Sequence, residues 1–102
     1  MIDVSRAQLE IISRILRNHV PDCAVWVFGS RATYTAKNYS DLDLAIIGKE
    51  KLTDQTLFAL KEAFQESDLP FRVDVLDWNG ISKEFRQVIE KKYVVIQTPQ
   101  TA

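Results

Sequence analysis

The residues of this 102-residue chain whose types and spacing could carry chemistry are a glycine–serine pair and three aspartates. In the segment VWVFGSRATYTAKNYSDLDLAII, an apolar run ends at Gly29-Ser30. After ten intervening residues, Asp41 and Asp43 open a second apolar run, and the later segment FRVDVLDW places Asp74 between apolar residues. A phosphate-binding turn beside strand-borne carboxylates is what a two-metal phosphoryl-transfer site requires.

The alternation of a β-strand predicts where these carboxylates point. Residues two apart project to the same face, so Asp41 and Asp43 should lie together while Leu42 and Leu44 face the core. Asp74 should project from the face opposite to that of its valine neighbours. Asp77 should project from the same face as these valines, and so lie outside the site. If the two strands are neighbours, all three carboxylates converge. Such a cluster favours Mg²⁺, because like charges this close repel one another unless a cation lies among them.

Ordinary structural roles are possible for the same aspartates. Asp41 could end a loop by bonding its own backbone, and Asp74 also suits a half-exposed strand. Asp43 is harder to explain in this way, because aspartate is disfavoured inside strands.

The Gly29-Ser30 turn has the properties of an anion-binding site. Glycine allows a close backbone approach and a positive φ, and Ser30 offers a hydroxyl and an N–H at the start of a predicted short helix. Arg31 adds a positive charge nearby. A plain turn with a serine cap is the alternative. Neither a Walker A loop nor a Gly-x-Gly-x-x-Gly pattern occurs in the sequence, which excludes a P-loop NTPase.

The elements that must position these residues follow from periodicity and capping signals. Ser5 and Gln8 fit a capping box for a helix over about residues 6–19, and Thr53 or Asp54 and Ser82 can cap two further helices. Strands are predicted at 24–28, 41–47 and 71–76. Residues 93–96 should form a short edge strand or extend away to a partner. The resulting α-β-(α)-β-α-β-α order predicts an α/β (α+β) fold with helices on a small mixed sheet.

The composition predicts a single domain over residues 1–98 followed by a frayed tail over 99–102. The formal net charge is -1, so nucleic acid is not expected as a direct ligand. Cys23 is the only cysteine and His19 the only histidine, which excludes an internal disulfide and a histidine-rich zinc site. With no apolar stretch of membrane-spanning length and no signal peptide pattern, a cytoplasmic protein is expected.

The spacing Gly29-Ser30, ten residues, Asp41-Leu42-Asp43 resembles the signature of the DNA polymerase β-like nucleotidyltransferase superfamily. Over nearly its whole length the chain is similar to the minimal nucleotidyltransferases (MNT proteins), and FRVDVLDW and EFRQVIEKKYVVIQ extend the similarity. Many MNT proteins read Gly-Ser-Arg-Ala-Arg-Gly, whereas Thr33 and Tyr34 follow Ala32 here.

This resemblance implies roles for the individual residues. Gly29 and Ser30, with Arg31 beside them, would bind the phosphates of ATP. Asp41 and Asp43 would hold two Mg²⁺ ions. Asp74 would contribute to one metal and help to activate the acceptor hydroxyl.

The resemblance also implies a partner. Several MNT proteins are antitoxins that transfer AMP to a tyrosine of a helical HEPT toxin, so a hetero-oligomer with such a toxin is expected. Two alternatives remain open. The domain could neutralise a toxin by binding alone, with its apolar 93–96 segment as a docking surface, or it could modify a small molecule such as an aminoglycoside.

Overall fold

The structure, a computed structural model, describes residues 2–33 and 40–100 of the chain. Its helices and strands follow one another in the order predicted from the sequence. In chain order they are α1 (Arg6–His19), β1 (Ala24–Phe28), α2 (Ser30–Thr33), β2 (Leu42–Ile47), α3 (Asp54–Gln65), β3 (Val73–Asp77), a 3₁₀ turn (Trp78–Gly80), α4 (Lys83–Lys91) and β4 (Val94–Gln97). Tyr34 and most of the predicted 36–40 loop lie outside the described residues.

The strands form one mixed sheet in the order β3-β2-β1-β4. Strands β2 and β3 run parallel, and β1 is antiparallel to both β2 and β4. The predicted fold class is therefore confirmed. For the 93–96 segment, the structure selects the edge strand, because Val94 and Val95 pair with β1.

One face of the sheet carries the hydrophobic core. The inward side chains of β1 and β2, including Val25, Val27, Leu42 and Leu44, are fully buried. Helices α1 and α3 cover this face with buried leucine, isoleucine and phenylalanine side chains. Because side chains alternate along a strand, Asp43 projects from the opposite face of the sheet.

The predicted helix starts are confirmed at each cap. The Gln8 N–H donates to Ser5 Oγ (3.1 Å) and the Ser5 N–H donates to Gln8 Oε1 (2.9 Å), which completes the capping box. Thr53 caps α3 and Ser82 caps α4, each accepting a backbone N–H at 3.1 Å. Caps of this kind are each worth about 1 kcal/mol.

Helix α4 is the least covered of the longer helices. Ile89 is buried, but Phe85 and Val88 are 37% and 57% exposed. At the end of the chain the Gln100 N–H donates to the Pro21 carbonyl (2.9 Å), and residues 101–102 lie outside the described residues. No helix among residues 2–33 and 40–100 is long and apolar enough to cross a membrane.

Candidate active site

Two of the candidate carboxylates lie side by side on neighbouring parallel strands. Asp43 on β2 and Asp74 on β3 are direct partners in the strand register. In a parallel pair, such partners project to the same face of the sheet. Asp41 precedes β2 by one residue and lies close enough to act electrostatically on Asp43. The structure therefore brings together the three carboxylates that the sequence had singled out.

The electrostatics of Asp43 reflect this crowding. Burial of its carboxyl group, followed by the nearby charges of Asp74 and Asp41, raises the pKa of Asp43 to about 6. Each cause opposes ionisation, because burial removes water from the charged form and the other carboxylates repel it. A divalent cation among these groups would reverse the effect of the neighbours and favour the ionised form of Asp43.

The glycine–serine turn touches Asp43 directly. Gly29 follows Phe28, which is the register partner of Asp43 on β1, and has a φ of 75°. A Cβ built on Gly29 would overlap Asp43 Oδ2 and lie 3.3 Å from Asp43 Cγ. Only glycine combines this left-handed backbone with so close an approach. Ser30 then begins the single turn of α2 beside the carboxylate.

Arg31 lies at the turn but is turned inward. Its side chain is buried, and Nε and Nη2 donate to the Ser40 carbonyl (3.1 and 2.9 Å) while Nη1 donates to the Asp3 carbonyl (2.8 Å). The guanidinium also lies 4.0 Å above the Phe71 ring. These contacts fasten the residue before Asp41 to the Gly-Ser turn. The phosphate-binding role of Arg31 stays a prediction.

Arg72 is a cation at the site that the sequence reasoning missed. Its Nη2 forms an ion pair with Asp41 Oδ2 at 3.2 Å, and its carbonyl accepts from the Leu42 N–H at 2.8 Å. The side chain is 76% exposed, so the pair is worth at most about 1 kcal/mol. Arg72 precedes Asp74 by two residues, which places both on one side of an extended segment. That spacing was the available signal.

The donor set fits a divalent cation, although the side chains do not form a closed cage. Among residues 2–33 and 40–100, no group of three Asp, Glu, His or Cys side chains is arranged to hold a metal ion by itself. The oxygens of Asp41, Asp43 and Asp74 are of the type that Mg²⁺ prefers, and this ion usually keeps water and substrate phosphate in its shell. The repulsion around Asp43 and the cation already beside Asp41 both indicate a place for positive charge.

Asp77 is excluded from the site, as the strand alternation predicted. Its carboxylate is only 8% exposed. Asp77 Oδ2 accepts from the Leu52 N–H (2.8 Å) and Oδ1 accepts from the Asn79 N–H (3.1 Å). Asp77 therefore ties the start of α3 and the 3₁₀ turn to the end of β3.

Aromatic side chains lie on the same face of the sheet as Asp43. Trp26 stacks on Tyr93 with ring centroids 4.0 Å apart and meets Trp78 edge to face at 5.2 Å. Phe28 meets Phe85 of α4 edge to face at 6.1 Å. Of these rings, Phe28 lies beside the carboxylates, because it is the register partner of Asp43.

A tight glycine turn against adjoining strand-borne carboxylates is what a nucleotidyl-transferring enzyme needs, and comparison with known proteins supports that enzyme class. The family model described as "Polymerase beta, Nucleotidyltransferase" matches residues 10–101. A probable protein adenylyltransferase MntA from Haemophilus influenzae is 55% identical over 96 residues, covering 94% of this chain and 84% of the relative.

Solved structures of toxin–antitoxin complexes share the fold. A toxin–antitoxin with AMP-PNP matches with a TM-score of 0.74 at 24% identity, covering 90% of this chain and 74% of the other. A tri-AMPylated HEPN toxin in complex with an MNT antitoxin, from Shewanella oneidensis, matches with a TM-score of 0.70 at 23% identity, covering 93% and 73%. The chain belongs to the polymerase β nucleotidyltransferases and, within them, to the minimal nucleotidyltransferase family.

Proposed function

We propose that this nucleotidyltransferase moves AMP from ATP to a tyrosine hydroxyl of a helical HEPT-type toxin, and acts as the antitoxin of that partner in the cytoplasm. The observation that carries the proposal is the pairing of Asp43 with Asp74 beside the Gly29 backbone. The 55% identical relative supports a protein acceptor, and the structurally similar toxin–antitoxin complexes support a toxin partner.

The donor nucleotide binds at the Gly29-Ser30 turn. Gly29 has no side chain to keep the phosphates away from Asp43, and Ser30 is half-buried and begins α2. Backbone N–H groups at a glycine turn bind phosphate oxygens well. Arg31 fastens this turn to the residue before Asp41, so it keeps the phosphate site and the carboxylates in register.

The metal ligands in this proposal are Asp41, Asp43 and Asp74, holding two Mg²⁺ ions. When bound, Mg²⁺ neutralises the negative charge on the reacting phosphate and on the entering and leaving oxygens. Asp43 must be ionised for this role, so its raised pKa makes binding depend on pH. The ion pair between Arg72 and Asp41 is exposed and weak, so it does not prevent Asp41 from binding a metal ion.

Asp74 lies on the acceptor side and orients the attacking hydroxyl. Its carboxylate accepts the proton as the tyrosine oxygen forms a bond to the α-phosphorus. The bond from that phosphorus to the bridging oxygen breaks, and pyrophosphate leaves with the electron pair. Catalysis rests mainly on positioning and on charge stabilisation, as in other phosphoryl transfers.

Label transfer tests this proposal. The chain and its co-purified partner are incubated with Mg²⁺ and ATP labelled on either the α- or the γ-phosphate. Label on the partner from α-labelled ATP only, lost with Asp43→Asn, is the expected result. Label from γ-labelled ATP would identify a kinase instead, and no label with the partner bound would contradict nucleotidyl transfer.

Neutralisation by binding alone is the second candidate. It is favoured by the exposed apolar side chains of α4 and β4, which include Phe85, Val88 and Val95. Asp43→Asn separates the two functions, because this change leaves that surface intact. Loss of neutralisation with retained binding supports AMP transfer, whereas unchanged neutralisation supports sequestration.

A further inference from the structure

A cavity of about 440 Å³ lies beside Asp74, on the side of β3 that faces away from β2. It opens between β3 and the second half of α3. Its lining includes Lys61, Phe64, Gln65, Leu69, Arg72 and Asp74. Since β3 is an edge strand of the sheet, no other strand of the described residues covers this opening.

The direction of the proposed reaction places this cavity on the acceptor side. In an in-line displacement, the entering and leaving oxygens lie on opposite sides of the phosphorus atom. The Gly29-Ser30 turn, at the end of β1, holds the leaving pyrophosphate. Asp43 on β2 and Asp74 on β3 follow in the sheet order, and the cavity lies beyond Asp74. An acceptor that reaches Asp74 from this side must pass over the cavity.

The lining carries two cationic side chains, Lys61 and Arg72, and one carboxylate, Asp74, whose charge the proposed metal ions would offset. Among the described residues, Lys61 has no ion-pair partner, and the Arg72 guanidinium is bonded only to Asp41, through one nitrogen. The guanidinium keeps further donors for a second group, and its fork matches carboxylate and phosphate oxygens. Phe64 and Leu69 supply apolar walls beside these charges. A pocket with both charged and apolar side chains suits a charged group of a larger molecule, because the apolar walls can bury the carbon atoms next to that group.

We propose that this cavity, the acceptor pocket, binds an anionic group that the acceptor polypeptide carries next to its reactive hydroxyl. The inference rests on the proposed transfer to a protein. The anion has two possible sources, a carboxylate side chain near the tyrosine or the phosphate of an AMP already attached. The second source would hold a modified acceptor in place for further transfers.

Lys61→Gln is the main test, because Lys61 touches none of the proposed metal ligands. Lys49→Gln is the matched control, since Lys49 is an exposed lysine just beyond the far end of β2. The rate of each successive AMP addition is followed by intact-protein mass spectrometry at varied concentrations of the separately purified partner. The affinity for the partner is measured separately by calorimetry with a non-hydrolysable ATP analogue.

Lys61→Gln should raise the KM for the acceptor about tenfold, the loss expected for one charge-assisted hydrogen bond. The KM for ATP should not change, and Lys61→Arg should restore the acceptor KM. A slower first transfer identifies a carboxylate, and slower later transfers alone identify an attached phosphate. Arg72→Gln should add to the effect of Lys61→Gln.

Three outcomes would overturn the acceptor pocket. The first is an unchanged acceptor KM with unchanged partner affinity, and the second is an equal effect of Lys49→Gln. The third is a rise in the KM for ATP alone, which would assign Lys61 to the donor site. In each of these the wild type still transfers AMP, so the proposed function stands. A wild type that labels no partner would overturn both proposals.

Discussion

Two aspartates of the same strand, Asp74 and Asp77, show how the same side chain serves two different purposes. Asp77 is buried, and both of its oxygens accept backbone N–H groups, from Leu52 and Asn79. Asp74 is exposed, has no hydrogen-bond donor among the described residues, and lies beside Asp43. One carboxylate is satisfied by the protein and stabilises the fold. The other is left beside a second negative charge.

This difference separates the end of the sheet with the candidate site, at Asp74, from the other end of β3, at Asp77. Burying a carboxylate is tolerated when N–H donors replace water, as they do at Asp77. Gathering carboxylates without such donors is unfavourable unless a cation joins them. In the proposed function, the ends of β2 and β3 that carry Asp43 and Asp74 therefore give up stability for the capacity to bind Mg²⁺.

The largest effect expected from this comparison is on catalysis at Asp74. Asp74→Asn should lower the rate of AMP transfer at least about 100-fold, because a proton acceptor and metal ligand is lost. The free energy of unfolding should stay equal or rise, because one repelling charge near Asp43 is removed. Initial rates and urea unfolding of the same preparation test both halves. A wild-type rate in this variant would remove Asp74 from the mechanism.

Gly29→Ala should lower both activity and stability. The added Cβ meets Asp43 Oδ2, and the positive φ costs a non-glycine residue about 1–2 kcal/mol. We expect the transfer rate to fall at least about tenfold, because Asp43 must move.

Gly80→Ala is the control for Gly29→Ala. A Cβ on Gly80 would come no closer than 3.7 Å to any atom of its surroundings. Thermal unfolding and initial rates of the two variants are compared side by side. If both variants behave alike, the close approach of Gly29 to Asp43 has no functional importance.

Asp77→Asn should have the opposite profile to Asp74→Asn. An amide can accept only one of the two backbone N–H groups well, so the fold should lose about 1–3 kcal/mol. The transfer rate per folded molecule should equal that of wild type. Chemical denaturation gives the first quantity, and the rate at a temperature well below unfolding gives the second. A stable variant with lost activity would contradict the structural role of Asp77.

The smallest expected effect is on the pH dependence of stability without metal. The pKa of Asp43 is raised to about 6 in the fold, so the folded state holds this proton more tightly than the unfolded chain does. The contribution of Asp43 to stability is therefore full at low pH and is lost as the pH rises through about 6.

Melting temperatures from pH 4 to 8, in the presence of a chelator, measure this contribution. Relative to Asp43→Asn, the wild type should lose stability across this range. Parallel curves for the two proteins would show that the carboxylate cluster does not strain the fold.

Local patterns predicted most of the fold. The capping box at Ser5, the apolar run of β1 that ends at Gly29, and the alternation at the start of β2 specify their elements from neighbouring residues alone. The choice between an edge strand and an extended arm at residues 93–96 could not be made from the sequence, because it depends on pairing with β1, about 70 residues earlier.

The residues of the candidate site were proposed from the sequence, but several of their contacts could not be predicted. The alternation of side chains along β3 separated Asp74 from Asp77, because it depends on neighbouring residues only. The direct register of Asp43 with Asp74 could not be derived, since strand pairing is set by the whole core. The burial of the Arg31 side chain could not be predicted either, because it depends on hydrogen bonds to Ser40 and Asp3, which lie outside the local pattern around Arg31.

Manganese binding tests the central claim most directly. Electron paramagnetic resonance counts Mn²⁺ bound to the chain together with a non-hydrolysable ATP analogue, without the partner, for the wild type, Asp43→Asn and Asp77→Asn. Mn²⁺ takes the same oxygen ligands as Mg²⁺. The account predicts binding by the wild type and by folded Asp77→Asn, and its loss in Asp43→Asn. Equal binding by Asp43→Asn, or loss with Asp77→Asn alone, would contradict a cation site at the Asp43–Asp74 pair.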